Sequence, residues 1–459
     1  MPSASSAVSD SGRPVPSSLW RDADFRRLWM GQTASQLGEH AHLVMLPLFA
    51  VLTLNASAGQ LGVLRAVGQA PILLLSLFVG AWVDRWRTRT TMVLSDVGRA
   101  LVLGTAAMAS LFGRLGLPAL LALAFAVGTL SVFFDVAYQA SLVRLVERDQ
   151  LVRGNSALEG SRSAARIGGP ALGGALVSLL SAPIAAASNA LLFALSCVSI
   201  RRIRRAESIP ERAEHPPRVW QRIHEGLRFV AGDTALRTVC LASAVFQFSF
   251  AAMMTVYLLF LPRELHLSGT VVGPALAAAG PGALLGSLLA ARLSRRFGHG
   301  VVLVCAAALG DGVFLCVPAL HVSSAVTVPA LLAVSFVFGL CGQLVNVAVM
   351  TVRQALTPDG MQGRAAATIT FVGMGSTPLG SLLGGFLAEE WGLRTSLLVT
   401  AAGMMLSPAV MALSPLSRLG RELPASHDAP PTAAAHPEAH EMALRDTDAA
   451  HDAATETGS

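Results

Sequence analysis

The chain has 459 residues, of which 53% are hydrophobic and only 14% are charged, and its mean hydropathy is +0.58. Soluble domains carry about 25% charged residues, so this chain has too few charges to cover a surface that faces water. The net charge is +6, but the arginines lie in short clusters between apolar runs. That pattern argues against a nucleic-acid partner and is typical of loops that set orientation in a bilayer.

Apolar segments recur along the whole chain, and each is long enough for a crossing, which takes about 20 residues. Their length and their content of Ala, Leu and Gly favour helices, because barrel strands would show an alternating pattern. We therefore predict an all-α membrane protein with twelve transmembrane helices. The predicted spans are residues 27–54, 60–83, 91–113, 117–143, 156–180, 183–200, 238–262, 270–293, 301–322, 325–352, 365–388 and 394–416.

Arginines cluster in every second loop between these spans, whereas the intervening loops contain only Arg114, Arg263 and Arg394. Because arginine-rich loops stay on the cytoplasmic side, both termini are predicted to be cytoplasmic. The predicted parts are a cytoplasmic tail (1–24), an N-terminal six-helix bundle (25–200), a central cytoplasmic loop (201–237), a C-terminal six-helix bundle (238–418) and a disordered cytoplasmic tail (419–459).

The two halves resemble each other at an offset of 211 residues. Arg153 corresponds to Arg364, and Gly173 to Gly384. Two six-helix bundles related as parallel repeats by a pseudo-twofold axis are an architecture of secondary transporters, which bind substrate between the repeats. Chance similarity among helices rich in Ala, Leu and Gly is the alternative.

The segment GAWVDRWRTR, which begins at Gly80, resembles the signature of the major facilitator superfamily between its second and third helices. The resemblance implies a gating motif on the cytoplasmic side. Gly80 would let helix two approach helix eleven, and Asp84 would lie at the helix-eleven N-terminus, where the helix dipole favours an anion. Arg85 and Arg89 would bind acidic partners or lipid headgroups, unless they serve only to orient the chain.

The segment GPALGG resembles the Gly-Pro-x-x-Gly-Gly element that antiporters of this superfamily carry on helix five. It comprises Gly169, Pro170, Gly173 and Gly174, small residues and a proline that allow close packing and a kink. Ordinary small-residue packing is the other interpretation. The segments FRRLW and EGLRF resemble the branch with macrolide-efflux proteins and the enterobactin exporter, which implies drug:proton antiport but names no cargo.

Two carboxylates lie near the middle of predicted spans. Glu39 is 12 residues after Arg27, or about 18 Å into the membrane, and Asp135 is 9 residues before Arg144, or about 13.5 Å from the same side. Ionisable residues at such depth are functional candidates by default. We predict that both face one aqueous path and couple protons to conformation, and a structural hydrogen bond or ion pair is the alternative.

Other polar residues in the spans complete the candidate set. Asp96 and Arg99 lie one turn apart on helix three and are expected to pair locally or to support the gating motif. Gln247, Gln343 and Asn346 are candidate neutral contacts for substrate, with phenylalanines nearby. Asp311 is a buried acid to which the sequence assigns no partner.

These features predict a secondary active transporter that exports an amphipathic small molecule, such as an antibiotic or siderophore, by alternating access with protons. Uptake or facilitated diffusion of a polar solute, or a non-transporting receptor, are the alternatives. An enzyme is not expected, since no metal motif, nucleotide-binding loop or nucleophile with its base is visible. The expected partners are a small-molecule substrate, protons and the lipid bilayer, without nucleic acid, cofactor or metal. We expect a monomer in the bacterial cytoplasmic membrane.

Overall fold

The computed structural model describes residues 19–83, 86–145, 150–180, 182–205, 219–321, 326–358, 361–418 and 420. These residues form α-helices joined by short turns and a few 3-10 segments, with no β-strand among them. The α-helices are α1 (Ala23–Leu52), α2 (Ala58–Val83), α3 (Thr88–Leu111), α4 (Leu117–Leu145), α5 (Leu151–Leu179), α6 (Ala182–Arg201), α7 (Val219–Gly232), α8 (Thr234–Arg263), α9 (Gly269–Ala277), α10 (Ala279–Phe297), α11 (His299–Gly312), α12 (Thr327–Leu356), α13 (Gln362–Gly375), α14 (Thr377–Trp391), α15 (Leu393–Met404) and α16 (Leu406–Ala412).

Eleven of the predicted spans lie mainly on one of these α-helices or on two consecutive ones, and the span 301–322 continues from α11 into a 3-10 helix (Val313–Ala319). Within the described residues, ten segments are long and apolar enough to cross a membrane. The helices α1 and α5 are 30 and 29 residues long but do not reach this apolar level. Their interiors carry polar residues, including Glu39 in α1 and Arg162 in α5. Twelve crossings, the cytoplasmic termini and the boundaries of the two bundles therefore stay predictions.

Three predicted spans are interrupted rather than continuous. The helices α9 and α10 meet at Ala278, three residues before Pro281, and α13 and α14 meet at Ser376, just before Pro378. Proline has no amide hydrogen and its ring crowds the preceding turn, so it explains the first two interruptions. A similar break separates α15 from α16 at Met405, before Pro408.

Two aspartates fix where long helices begin. The Asp22 carboxylate accepts hydrogen bonds from the backbone N–H groups of Asp24 and Phe25 at the start of α1, and Asp233 accepts one from Leu236 at the start of α8. Such caps satisfy amides that have no partner inside the helix. Both capped ends adjoin the arginine-rich segments.

Large apolar side chains cover the outside of the bundle. Leu288 is 73% exposed and Leu413 is 91% exposed, and many other leucines and phenylalanines also face outward. Soluble proteins seldom expose contiguous apolar surface of this kind. Lipid is therefore the solvent that this surface requires.

The helix α7 lies within the predicted central loop and packs on α13. The Arg364 guanidinium donates to the Glu225 carboxylate at 2.8 Å, and Gly226 lies against the backbone of Arg364. The EGLRF segment thus attaches α7 to the beginning of α13.

The two halves contact each other at the end of the bundle away from the arginine-rich segments. There α2 begins beside the end of α14, where a methyl group at Gly62 would lie 2.9 Å from the Cα of Gly385. The end of α5 meets the beginning of α9, where a methyl group at Gly174 would lie 2.7 Å from the Cα of Gly273. Close approach of helices through glycine is a common packing mode in membranes.

We expect Gly62→Leu to separate α2 from α14, because a bulky side chain cannot fit at this contact. Spin labels at Thr53 and Trp391, both exposed near these helix ends, would report the change by double electron–electron resonance in a background without the five native cysteines. The distance distribution should shift to longer values. Gly104→Leu is the matched control, since no described atom lies within 4 Å of the added Cβ. Identical distributions for both variants would contradict this interpretation.

Candidate functional site

A buried arginine lies at the centre of the first half. Arg99 is on α3, 11 residues after Thr88, and only 1% of its surface is exposed. Its guanidinium carbon lies 4.6 Å from the ring centre of Phe134 and 4.4 Å from that of Phe193. A cation taken out of water needs a counter-ion and hydrogen bonds, because its desolvation is otherwise too costly.

Acidic and hydroxyl side chains from three helices supply those interactions. Arg99 donates to the Asp96 carboxylate on its own helix and forms an ion pair of 3.4 Å with Glu39 on α1. It also donates to the Ser35 hydroxyl at 2.8 Å and to the Ser131 hydroxyl on α4 at 3.4 Å. We call Ser35, Glu39, Asp96, Arg99 and Ser131 the Arg99 cluster.

The two carboxylates predicted to act together have different immediate partners. The Ser131 hydroxyl donates to Glu39 at 2.6 Å, and the Gln36 amide donates to Asp135 at 3.0 Å. Both acids thus lie between α1 and α4, but Asp135 accepts from Gln36 and is not bonded to Arg99. The Glu39 side chain is 19% exposed, so it is the accessible acid of the Arg99 cluster.

A cavity of about 140 Å³ opens beside Glu39, between α1, α2 and α4. Its wall is largely apolar, but His42, Arg65 and Gln69 also contribute to it. Each of these three has a buried polar side-chain atom without a hydrogen-bond partner among the described residues. A space of this size beside several polar groups can hold water.

A second cavity, of about 230 Å³, lies in the second half between α8, α11, α12 and α16. We call it the second-half cavity. Gln247 and Asn346 line it, as do the rings of Phe246 and Phe338. Gln343, which was predicted as a third neutral contact, is not among the residues that line this cavity, because the Cβ of Gln343 faces Gly286 on α10.

The gating motif is described only in part. Asp84 and Arg85 lie outside the described residues, and Gly80 lies in α2 but its surroundings are not described. Arg89 donates a hydrogen bond to the backbone carbonyl of Arg201 at the end of α6, within its own half. Asp96 and Arg99 form the expected local pair. Both belong to the Arg99 cluster inside the bundle, and no described contact joins them to the gating motif.

The helix-five element packs on both of its sides. Gly169 and Gly173 lie against the backbone of α1 at His40 and Ala41, and Gly174 faces α9 of the other half. Pro170 lies within the continuous helix α5. These contacts agree with close packing, and the antiporter role stays a prediction.

The ion pair between Arg99 and Glu39 was not predicted from the sequence. The available signal was depth: Arg99 lies 11 residues into α3, or about 16 Å at 1.5 Å per residue, close to the value for Glu39. Two opposite charges at one depth in neighbouring helices should pair. Ser35 and Ser131 gave no comparable signal, because serine is common in these helices.

A bundle of apolar helices with polar clusters in its interior is compatible with several kinds of multi-span membrane protein, and comparison with known proteins identifies which kind this is. Its sequence matches the transmembrane secretion effector family over residues 16–442. The chain belongs to that family of the major facilitator superfamily, whose members are transporters and not enzymes.

Its relatives include proteins named as multidrug efflux pumps. The multidrug efflux pump Tap of Mycolicibacterium fortuitum is 27% identical over 80% of this chain and 90% of its own length. The pump of the same name from Mycobacterium tuberculosis strain H37Rv is 29% identical over 79% and 87%. The fold matches a solved bacterial homologue of the human lysosomal transporter Spinster, with a TM-score of 0.70 and 15% identity over 88% of this chain and 98% of that one.

We expect Arg99→Met to destabilise the protein by about 3–5 kcal/mol, because it leaves Asp96 and Glu39 buried without their counter-ion. Adding Asp96→Asn to Arg99→Met should recover part of this loss. Thermal unfolding of the purified protein in detergent measures both effects.

Arg27→Met is the control, since Arg27 is 26% exposed and pairs with Asp24 in the first turns of α1. Surface pairs of that kind contribute at most about 1 kcal/mol. Equal losses of stability from Arg99→Met and Arg27→Met would show that the Arg99 cluster stabilises the protein no more than a surface ion pair does.

Proposed function

We propose that this protein exports an amphipathic small molecule in exchange for protons, and that Glu39 and Asp135 carry the coupling. The observation that carries the proposal is the position of Glu39, which is bound to Arg99 and Ser131 on one side and on the other borders a cavity that His42, Arg65 and Gln69 also line. An acid held in this way can exchange a proton while it remains tied to neighbouring helices.

The proposed coupling step changes how α1 is held. When Glu39 is ionised, its carboxylate pairs with Arg99, as in the present structure at 3.4 Å. When a proton binds the Glu39 carboxylate, the attraction to Arg99 is lost and Asp96 alone balances the guanidinium. Because Glu39 lies on α1 and Arg99 on α3, protonation weakens the contact between these helices and favours a different arrangement of the first half.

Asp135 is the second acid in this proposal. It lies on α4, next to Phe134, whose ring covers the Arg99 guanidinium, and its carboxylate accepts from Gln36 on α1. The Asp135 carboxylate can only accept a hydrogen bond from Gln36, whereas a protonated Asp135 can also donate one. Protonation of Asp135 would therefore change the hydrogen bonding between α1 and α4. Both acids therefore act on contacts of the same helix, α1.

The substrate is proposed to bind in the second half, through Gln247, Asn346 and the adjacent phenylalanine rings of the second-half cavity. A mixture of amide groups and flat apolar surface suits a molecule with both polar and apolar parts. The names of the Tap relatives support export as the direction of transport.

We propose that the transport cycle alternates between a state closed at one end of the bundle and a state closed at the other. In the present structure the halves touch at the Gly62–Gly385 and Gly174–Gly273 contacts. With the predicted orientation this is the outer end, in the bacterial cytoplasmic membrane, and the GAWVDRWRTR segment would close the opposite end. We propose that a single chain performs the cycle.

We expect Glu39→Gln and Asp135→Asn to reduce uptake of a drug or dye into inverted membrane vesicles at least about tenfold, because neither amide can carry a proton through the cycle. Uptake is measured with an imposed pH gradient, and the amount of protein inserted in the membrane is measured alongside. Glu390→Gln is the control, as Glu390 is exposed at the end of α14.

Full gradient-driven uptake by the Glu39→Gln, Asp135→Asn double variant would remove both acids from the mechanism. Uptake only in right-side-out vesicles would support the alternative of solute import. Transport of no compound in either orientation would favour a receptor.

A further inference from the structure

An aspartate without a described partner lies in the wall of the second-half cavity. Asp311 is near the end of α11, and only 4% of its surface is exposed. Within the described residues it forms no ion pair, and no hydrogen bond to its side chain is found. A buried carboxylate in this condition is costly unless a cation or a proton neutralises it.

The rest of the cavity wall is neutral. Ser243, Gln247, Asn346 and Ser407 are its other polar side chains, and the remaining lining residues are apolar. None of the described residues that line the cavity is an arginine or a histidine, so these residues supply no positive charge to balance Asp311. The space next to Asp311 is therefore suited to a cation that comes from outside the protein.

Aromatic rings stand in a row at the same cavity. Phe246 stacks on Phe250 with ring centres 5.5 Å apart, and Phe250 stacks on Phe338 at 5.5 Å. Phe246 and Phe338 both line the cavity. The face of an aromatic ring is negative and attracts cations as well as flat apolar groups.

We propose that the second-half cavity binds a monovalent organic cation with an aromatic body, whose charged nitrogen pairs with Asp311 and whose rings contact Phe246 and Phe338. This inference rests on the proposed function and names the class of its substrate. The cavity of about 230 Å³ is smaller than the roughly 300–1,000 Å³ of sites for drug-sized ligands. Part of a larger molecule would therefore extend beyond it.

A metal ion is a poorer match for this cavity. Divalent metals require several acidic or imidazole ligands in one place. Among the residues that the structure describes, no group of three or more His, Cys, Asp or Glu side chains could hold one. One carboxylate beside amides and rings instead matches a single diffuse positive charge.

The test compares a cationic and a neutral aromatic probe on the purified full-length protein in detergent. Ethidium is the cation and N-phenyl-1-naphthylamine is the neutral compound, and fluorescence gives both dissociation constants. We expect Asp311→Asn to weaken ethidium binding at least about tenfold, because it removes the counter-charge. Binding of the neutral probe should change less than about twofold, and Asp311→Glu should retain ethidium binding. Glu390→Gln, which removes a carboxylate outside the cavity, should change neither constant.

A variant-free measurement covers the case in which Asp311→Asn fails to fold. Ethidium should protect Asp311 of the native protein from modification by dicyclohexylcarbodiimide, as followed by mass spectrometry of the peptide. Native-like ethidium affinity in a folded Asp311→Asn protein, or no protection of Asp311, would overturn the inference.

Transport separates this inference from the proposed function. If Asp311→Asn still moves the neutral probe in response to a pH gradient while ethidium transport is lost, both proposals are supported. If the native protein moves neither probe but binds ethidium through Asp311, the proposed function fails and the binding site stands. If the native protein moves both probes and Asp311→Asn does too, only the binding site fails.

Discussion

The burial of one guanidinium group constrains the first half of this transporter. Arg99 is almost completely enclosed, so Asp96, Glu39, Ser35 and Ser131 must remain close enough to balance and bond it. These side chains come from α1, α3 and α4, which fixes the relative positions of the three helices. Any change in the charge of Glu39 alters that balance. The same interaction that stabilises the first half therefore offers a way to move it.

The two halves divide the chemistry between them. The first half contains a charged cluster whose members are paired, whereas the second half contains a cavity with neutral amides, stacked rings and Asp311, which has no partner among the described residues. The interiors of the two halves therefore differ in charge. Glycine contacts between α2 and α14 and between α5 and α9 join the bundles at one end. In the proposed cycle, protonation of Glu39 would act on the second half through contacts of this kind.

Much of the fold follows from the sequence, because spanning segments must be long and apolar and must satisfy their own backbone. The breaks at Ala278, Ser376 and Met405 were not predicted, since hydropathy does not change there. The local Asp96–Arg99 pair follows from one-turn spacing. The ion pair between Arg99 and Glu39 could not be predicted in this way, because it depends on which helices are neighbours in the fold. The direction of Gln343 toward α10 depends on the rotation of α12 about its axis, and hydropathy does not specify that rotation.

Exchange of a proton at Glu39 on substrate binding distinguishes a coupling role of this acid from a purely structural one. It can be measured as proton release by the purified protein on addition of a transported compound, followed with a pH-sensitive dye in weak buffer. We expect release by the native protein and its loss in Glu39→Gln, with the compound still bound. Equal release by the two proteins would show that Glu39 does not exchange the proton.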